Sequence, residues 1–347
     1  MRVVLSGYFG HGNTGDEALL AGMLVSMRSA DPELDLVVIS GDPSETRRTH
    51  GVEAVPRMAP RAIWRALRGA DGLVSGGGGL LQDRTSARPV TYYAGVMGLA
   101  RIARRPYVIH AQGLGPIVRK ANRRLAASAL RGAAHVSLRD EASIALARSL
   151  GIRRPIALAP DPALVLRPSR TDGGHVLVAI RAWGDASLVG LRDGIRALAA
   201  DHPIIALPMH EPVDRAVAVL MTEGIPGARV APAAAALDER LALIGSASLV
   251  VAMRLHALVL AAAAGVPAVA ISYDPKVDAF AARLDMPVAG DVASGVDPAD
   301  VVEAARRELA ADLTQRRVIV DALRAEARAS AAASLAALGG ADLGPPS

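Results

Sequence analysis

Short apolar runs recur along this chain, and most of them stop at a glycine or a charged residue. Residues 3–6, 36–40, 72–75, 107–111, 135–138 and 156–159 read as buried strands. Helical patterns at residues 17–27, 90–104, 123–131 and 141–150 lie between them. Strand–helix–strand alternation of this kind implies a parallel, doubly wound sheet. Aromatic residues make up only 3% of the chain, so the core must be built from Ala, Val, Leu and Ile. The polar stretch 167–174 (RPSRTDGG) reads as an interdomain linker. A second alternating series follows, with strands at residues 175–180, 204–207, 249–253 and 268–272. The expected fold is α/β: two Rossmann-like, doubly wound parallel-sheet domains facing a cleft. Their expected spans are 1–168 and 175–300, with C-terminal helices over 301–338, broken into two, and a disordered tail over 339–347.

Composition removes several classes of function. There is no cysteine, so neither disulfides nor thiolate metal sites arise, and no metal-ligand cluster is visible. The formal charge is +5, and only Lys120 and Lys276 among the basic residues are lysines. That small, dispersed charge, without aromatic–basic interleaving, gives no basis for a nucleic-acid partner. The longest apolar tract, 257–271, contains Gly265 and Pro267 and is too short to span a bilayer. The apolar start is too short for a signal peptide, and the cytoplasm is the expected location. Arg61, Arg65 and Arg68 near Trp64 resemble a membrane-surface helix, which suggests peripheral contact with the inner face of the plasma membrane.

Three glycine-rich turns follow strands of the first series. Gly10-His11-Gly12-Asn13-Thr14-Gly15 matches the dinucleotide spacing GxGxxG. Asp16 and Glu17 follow at once, however, where a pyrophosphate would rest on the helix N-terminus. An uncharged sugar fits better, with Asn13, Thr14, Asp16 and Glu17 as hydroxyl partners; a purely structural helix cap accounts for the turn equally well. Gly76-Gly77-Gly78-Gly79 permits close approach of a substrate to the main chain around Gly77 and Gly78. Gln112 opens the third turn, Gln112-Gly113-Leu114-Gly115-Pro116. These residues form the expected acceptor side.

In the second series a strand ends at Arg254-Leu255-His256 and a helix begins immediately. A helix N-terminus favours an anion. The next strand ends at Tyr273-Asp274-Pro275-Lys276; if the two strands are neighbours, Lys276 shares a rim with Arg254 and His256. Guanidinium, imidazole and ammonium together suit a ligand carrying a carboxylate and a phosphate. His256 is the member of this trio able to move a proton near neutral pH. Arg139 and Arg181 also end strands, and either could complete the anion site.

The motifs at residues 10–19 (GHGNTGDEAL), 76–83 (GGGGLLQD), 112–116 (QGLGP), 137–143 (SLRDEAS), 161–164 (DPAL) and 253–257 (MRLHA) together resemble the polysaccharide pyruvyl transferase family, of the CsaB type. The resemblance implies a GT-B-like fold, phosphoenolpyruvate as donor, and no further cofactor. It implies a cell-wall sugar as acceptor, often N-acetylmannosamine on a lipid carrier, in polysaccharide biosynthesis and S-layer anchoring. It also implies that Arg254, His256 and Lys276 are catalytic and that Arg139 and Leu255 bind the donor, with Arg181 competing for the arginine's role. Two other expectations stand beside it: a GT-B-type glycosyltransferase using a nucleotide sugar, and a dinucleotide-binding protein built on residues 10–15.

Overall fold

The structure, a computed structural model, describes residues 1–84, 86–171, 173–183 and 188–340. Its first sheet contains β1 (Arg2–Ser6), β2 (Asp35–Ser40), β3 (Glu53–Pro56), β4 (Gly72–Gly76), β5 (Tyr107–Gln112), β6 (His135–Leu138) and β7 (Ala157–Leu158). The order is β3-β2-β1-β4-β5-β6-β7, and every pairing is parallel. Successive side chains of a strand point to opposite faces. Val3 and Leu5 therefore join one apolar cluster, with Leu20, Met23 and Met27 of α1 (Thr14–Ala30), while Val4 joins another. That second cluster takes Ile63 and Leu67 from α3 (Pro60–Arg68), Val90 and Met97 from α4 (Arg88–Ile102), and Leu130 from α5 (Lys120–Gly132). With both faces covered, the strands read as continuous apolar runs.

The second sheet has the order β10-β9-β8-β11-β12-β13, again with every pairing parallel. It consists of β8 (His175–Ala179), β9 (Ile204–Ala206), β10 (Arg229–Val230), β11 (Ala247–Ala252), β12 (Ala268–Ser272) and β13 (Val288–Asp291). Val176, Val178, Val251 and Val269 pack with Leu191 and Ile195 of α7 (Val189–Leu198), Met221 of α8 (Arg215–Thr222) and Val301 of α12 (Pro298–Leu309). The chain is thus a doubly wound parallel α/β protein with two sheets. In each sheet the strand order reverses between the first strand and its central neighbour, β1 and β4 or β8 and β11. Loops at such a switch point are where open α/β sheets hold ligands.

The two compact units are not contiguous in sequence. One comprises Met1–His11, Leu19–Val165 and Arg324–Ser347; the other comprises Gly12–Ala18 and Leu166–Leu323. This differs from the expected spans in two ways: Gly12–Ala18 joins the second unit, and the C-terminal stretch is divided between the two. The C-terminal helices do not form a unit of their own. α12 belongs to the second unit, and the latter part of α13 (Thr314–Gly339) belongs to the first, where Ala331, Leu335 and Leu338 join the cluster of Val3 and Leu5. Leu338 packs so closely on Gly72 that a Cβ there would lie 2.7 Å from its Cδ2. Ser334 of the same helix bonds the buried Nδ1 of His110 at 3.0 Å. The break between α12 and α13 falls where Asp312 accepts the Thr314 N–H at 2.9 Å. Residues 341–347 of the expected tail lie outside the described residues.

Among the described residues no helix is long and apolar enough to cross a membrane. Within α3, Ile63 and Leu67 are buried and Trp64 packs against the same core, leaving Arg61, Arg65 and Arg68 exposed. The apolar face of this helix is therefore covered by the protein itself.

Candidate functional site

In the second unit, β8 pairs with β11 and β11 with β12, so the turns carrying Arg181, Arg254–His256 and Tyr273–Lys276 leave three adjacent strands at the same edge. Arg254 is the N-cap residue of α10 (Leu255–Ala264), but its side chain makes no cap. Instead its guanidinium grips Asp214 with two hydrogen bonds, Nε to Oδ2 at 2.9 Å and Nη2 to Oδ1. Asp214 is fully buried and also accepts the His210 N–H at 3.0 Å. Arg254, expected among the cations of the anion site, is thus paired with an acid and locked in place. Leu255 is buried at the start of α10 and anchors that turn through packing.

His256 follows in the first turn of α10. Its ring lies against the main chain of Gly15: a Cβ at that glycine would sit 2.2 Å from Nδ1. Lys276 lies in the first turn of α11 (Pro275–Arg283), whose cap Asp274 accepts the Lys276 N–H at 3.2 Å. The Lys276 Nζ is 3.5 Å from Asp274 Oδ2 and 5.5 Å from the Tyr273 ring centroid. The same ring carries Arg181, whose guanidinium carbon is 4.9 Å from its centroid and 5.9 Å from that of Trp183. Among the described residues no carboxylate pairs with Arg181, and its Nε is buried without a hydrogen-bond partner. Trp183 and Tyr273 meet edge to face, 5.7 Å between centroids. Sequence reasoning missed both rings. Their signal is scarcity: the chain has two tryptophans, and one stands two residues after a strand-ending arginine.

Gly12–Gly15 of the first glycine turn belong to the second unit, although the turn follows a strand of the first sheet, and Gly10 and His11 stay with the first unit. Asn13 bridges His210 in antiparallel fashion, the Thr14 N–H bonds Met209 O at 2.7 Å, and Gly12 O accepts the Glu211 N–H at 3.0 Å. Asn13 Oδ1 accepts the Gly15 N–H at 3.0 Å and so caps α1. Thr14 and Asp16 are buried, and Glu17 is half-buried. The N–H groups that a pyrophosphate would need at Thr14 and Gly15 are already occupied. Asn13, Thr14, Asp16 and Glu17 therefore accompany His256, whereas the sequence grouped them with the first sheet.

The remaining predicted residues lie in the first unit. Gly77 and Gly78 both have positive φ, +77° and +70°, and Gly78 O accepts the Gly113 N–H at 2.9 Å. The Gln112 side chain is fully buried and neither amide atom has a hydrogen-bond partner among the described residues. Ser6 and Ser75, register partners across β1 and β4, have buried hydroxyls in the same condition. Arg139 pairs with buried Asp161 at 3.3 Å and lies 3.9 Å from Asp140. Asp161 opens the Asp-Pro-Ala-Leu motif, so that motif supplies a counter-charge. Among the described residues no group of three or more metal-ligating side chains is present.

No curated protein sequence matches this chain. Among solved structures, a putative UDP-N-acetylglucosamine 2-epimerase from Listeria monocytogenes is similar at a TM-score of 0.63 and 13% identity, covering 96% of this chain and 94% of that one. The UDP-GlcNAc 2-epimerase of Methanocaldococcus jannaschii is similar at 0.62 and 12% identity, covering 93% and 98%. At such identities the likeness is one of fold. The family model "Polysaccharide pyruvyl transferase" matches residues 13–275, a span that includes Asn13–Glu17, the second and third glycine turns, Arg139, Arg181, the Arg-Leu-His turn and Tyr273. The chain belongs to the polysaccharide pyruvyl transferase family and is a transferase of polysaccharide biosynthesis.

Proposed function

We propose that this transferase moves the pyruvyl group of phosphoenolpyruvate onto two hydroxyls of a sugar, forming a cyclic ketal and releasing phosphate. The observation that carries the reading is that the turns bearing Arg181, His256 and Lys276 leave three adjacent strands at one edge of the second sheet, with Arg181 and Lys276 both against the Tyr273 ring. The donor is an anion at both ends. Arg181, held on Tyr273 without a carboxylate partner among the described residues, and Lys276 supply positive charge, and the N-termini of α10 and α11 add their dipoles. Arg254 is satisfied by Asp214, so its task is to fix the start of α10 and with it His256.

In the reaction, His256 donates a proton to the methylene carbon of phosphoenolpyruvate while a sugar hydroxyl attacks C2. The C–O bond to phosphate breaks, and the second hydroxyl closes the ketal. One hydroxyl proton replaces the one His256 gave, and the other leaves on phosphate. Arg181 and Lys276 stabilise the departing phosphate. Candidate acceptor groups are, in the first unit, Gly77, Gly78 and Gln112 and, in the second, the turn of Asn13, Thr14, Asp16 and Glu17. The resemblance that suggests N-acetylmannosamine on a lipid carrier also suggests work at the inner membrane face.

The deciding assay is phosphate release from phosphoenolpyruvate across a panel of sugar acceptors. Acceptor-dependent release is expected, and its loss in His256→Ala with donor binding retained assigns the proton transfer. The competing nucleotide-sugar glycosyltransferase predicts thermal stabilisation by nucleotides and none by phosphoenolpyruvate; that result would overturn the proposal. The dinucleotide reading has little support, because the main-chain donors of the first turn are occupied.

A further inference from the structure

The first unit gathers a second set of aromatic and cationic side chains at the edge where β1 and β3 end. Tyr8, just past β1, stacks on His11 with ring centroids 4.3 Å apart and planes 20° from parallel. Gly41 makes room for that imidazole: a Cβ there would be 2.4 Å from Cε1. Arg57, the first residue after β3, places Nη1 2.5 Å from His11 Nε2. The guanidinium is the donor in that contact, so His11 accepts with a neutral ring. The Arg57 guanidinium carbon is also 4.4 Å from the Tyr92 centroid and 6.0 Å from that of Tyr8. Tyr92, in α4, closes the group by donating its hydroxyl to Arg57 O at 3.1 Å.

Two features separate this set from ordinary packing. The first is charge. Arg2, Arg48, Arg139, Arg215, Arg254 and Arg316 each pair with an acid. Arg57 is half-buried, yet among the described residues no carboxylate pairs with it. A partly desolvated cation without a counter-charge is costly unless an anion completes it. Its remaining N–H donors lie in the plane of a guanidinium held rigid by the rings, a geometry suited to a phosphate or carboxylate. The second feature is location. Tyr8 and Tyr92 are two of only five tyrosines in the chain; both are half-buried, and Tyr8 opens the loop at the switch point of the first sheet.

We propose that Tyr8, His11, Arg57 and Tyr92 form a subsite for an anionic sugar, its ring against the Tyr8–His11 pair and its phosphate or carboxylate on Arg57. The inference rests on the pyruvyl-transfer reading only in naming this ligand as the acceptor.

The test is binding by the full chain without phosphoenolpyruvate, measured by titration calorimetry. The probes are an N-acetylhexosamine 1-phosphate, a hexuronate, the matching free sugars and inorganic phosphate. At least one anionic sugar is expected to bind roughly tenfold or more tightly than both its neutral counterpart and inorganic phosphate. The more tightly bound of the two identifies the anion. Arg57→Gln should abolish the advantage over the neutral sugar, and Tyr8→Leu should weaken the anionic sugar more than inorganic phosphate. Arg57→Lys, which keeps the charge but not the planar fork, guards against misfolding and should fall between wild type and Arg57→Gln. Equal affinity for charged and neutral sugars, or an advantage unchanged in Arg57→Gln, would overturn the subsite. If the subsite binds as described but no sugar ever elicits phosphate release, the pyruvyl-transfer reading fails and the subsite stands. Acceptor-dependent release with charge-blind binding gives the reverse.

Discussion

Gly15→Ala should disable this protein while leaving it folded. Gly15 lies in the first turn of α1 with no positive φ, so its backbone is open to any residue. Helix propensity favours alanine over glycine there, by up to about 1 kcal/mol. The obstacle is His256. The new Cβ would lie 2.2 Å from Nδ1, 2.6 Å from Cγ and 2.9 Å from Cβ of the histidine, where ordinary contact begins at 3.4 Å. The ring must therefore retreat by roughly 1.2 Å, from 2.2 to 3.4 Å. The backbone of α10 cannot follow cheaply, because the Arg254–Asp214 pair and buried Leu255 hold its first turn.

A displacement of about 1 Å at a reacting group costs on the order of a hundredfold in rate. The expected outcome is a kcat for phosphate release about a hundredfold below wild type, with stability lowered by no more than the roughly 1–3 kcal/mol that overpacking one methyl group costs. Gly95→Ala, on α4 where a Cβ meets nothing within 4 Å, supplies the neutral control. A double-mutant cycle sharpens the claim: in a His256→Ala background, Gly15→Ala should cost nothing further. Wild-type turnover by Gly15→Ala, or additive losses in the cycle, would refute the contact's role.

Three other outcomes follow from the same geometry. Asp214→Asn leaves Arg254 without its counter-charge beside a buried amide and should cost about 3 kcal/mol in denaturant unfolding, with part of the loss recovered in the Asp214→Asn/Arg254→Met double variant. Arg181→Gln should raise the KM for phosphoenolpyruvate roughly tenfold or more, whereas Arg139→Gln should mainly lower stability by exposing buried Asp161 to the loss of its partner; the opposite ranking in steady-state kinetics would make Arg139 the donor-site arginine. Burial, reinforced by nearby His135, pushes the His110 pKa from its ordinary 6.5 down to about 4. The unfolded chain therefore takes up this proton first. The associated stability is complete above pH 6.5 and is lost as pH falls through about 4, by about 3 kcal/mol in total, and a stability–pH curve flat across that window in wild type would refute it.

The central strands were legible because both faces of each are buried, which leaves no polar position to interrupt the run. The edges were not. β3, β10 and β13 contain Glu53, Arg229 and Asp291, and their pairing depends on the neighbouring strand more than on their own residues. α13 was legible as a helix but not by destination, since Ala331, Leu335 and Leu338 make an apolar stripe that any sheet face accepts. At the candidate site, neighbouring turns could be inferred from consecutive strands. Long-range polar partners could not. Asp214 looks in sequence like an ordinary helix start, and nothing near Asn13 announces its bridge to His210.

Arginine illustrates the physical reason. In a chain with two lysines and 39 basic residues, an arginine at a strand end carries almost no information by type. What discriminates is the partner, which only the fold supplies. Arg254 and Arg139 face buried acids, so each is a neutral pair whose chief effect is to hold a turn. Arg181 and Arg57 face aromatic rings instead. A ring orients a guanidinium and shields one face from water, but its quadrupole does not cancel the charge. The cation stays charged, stiff and open along its N–H edge, the state in which it binds an oxyanion at least entropic cost. Each sheet carries one such arginine on the rim where its strands end, and each has a tyrosine beneath it. If that arrangement is functional, replacing the ring by a flat apolar chain (Tyr273→Leu or Tyr92→Leu) should weaken anion binding in its own unit while leaving the charge count untouched. A variant that binds as well as wild type would show that the rings merely fill space.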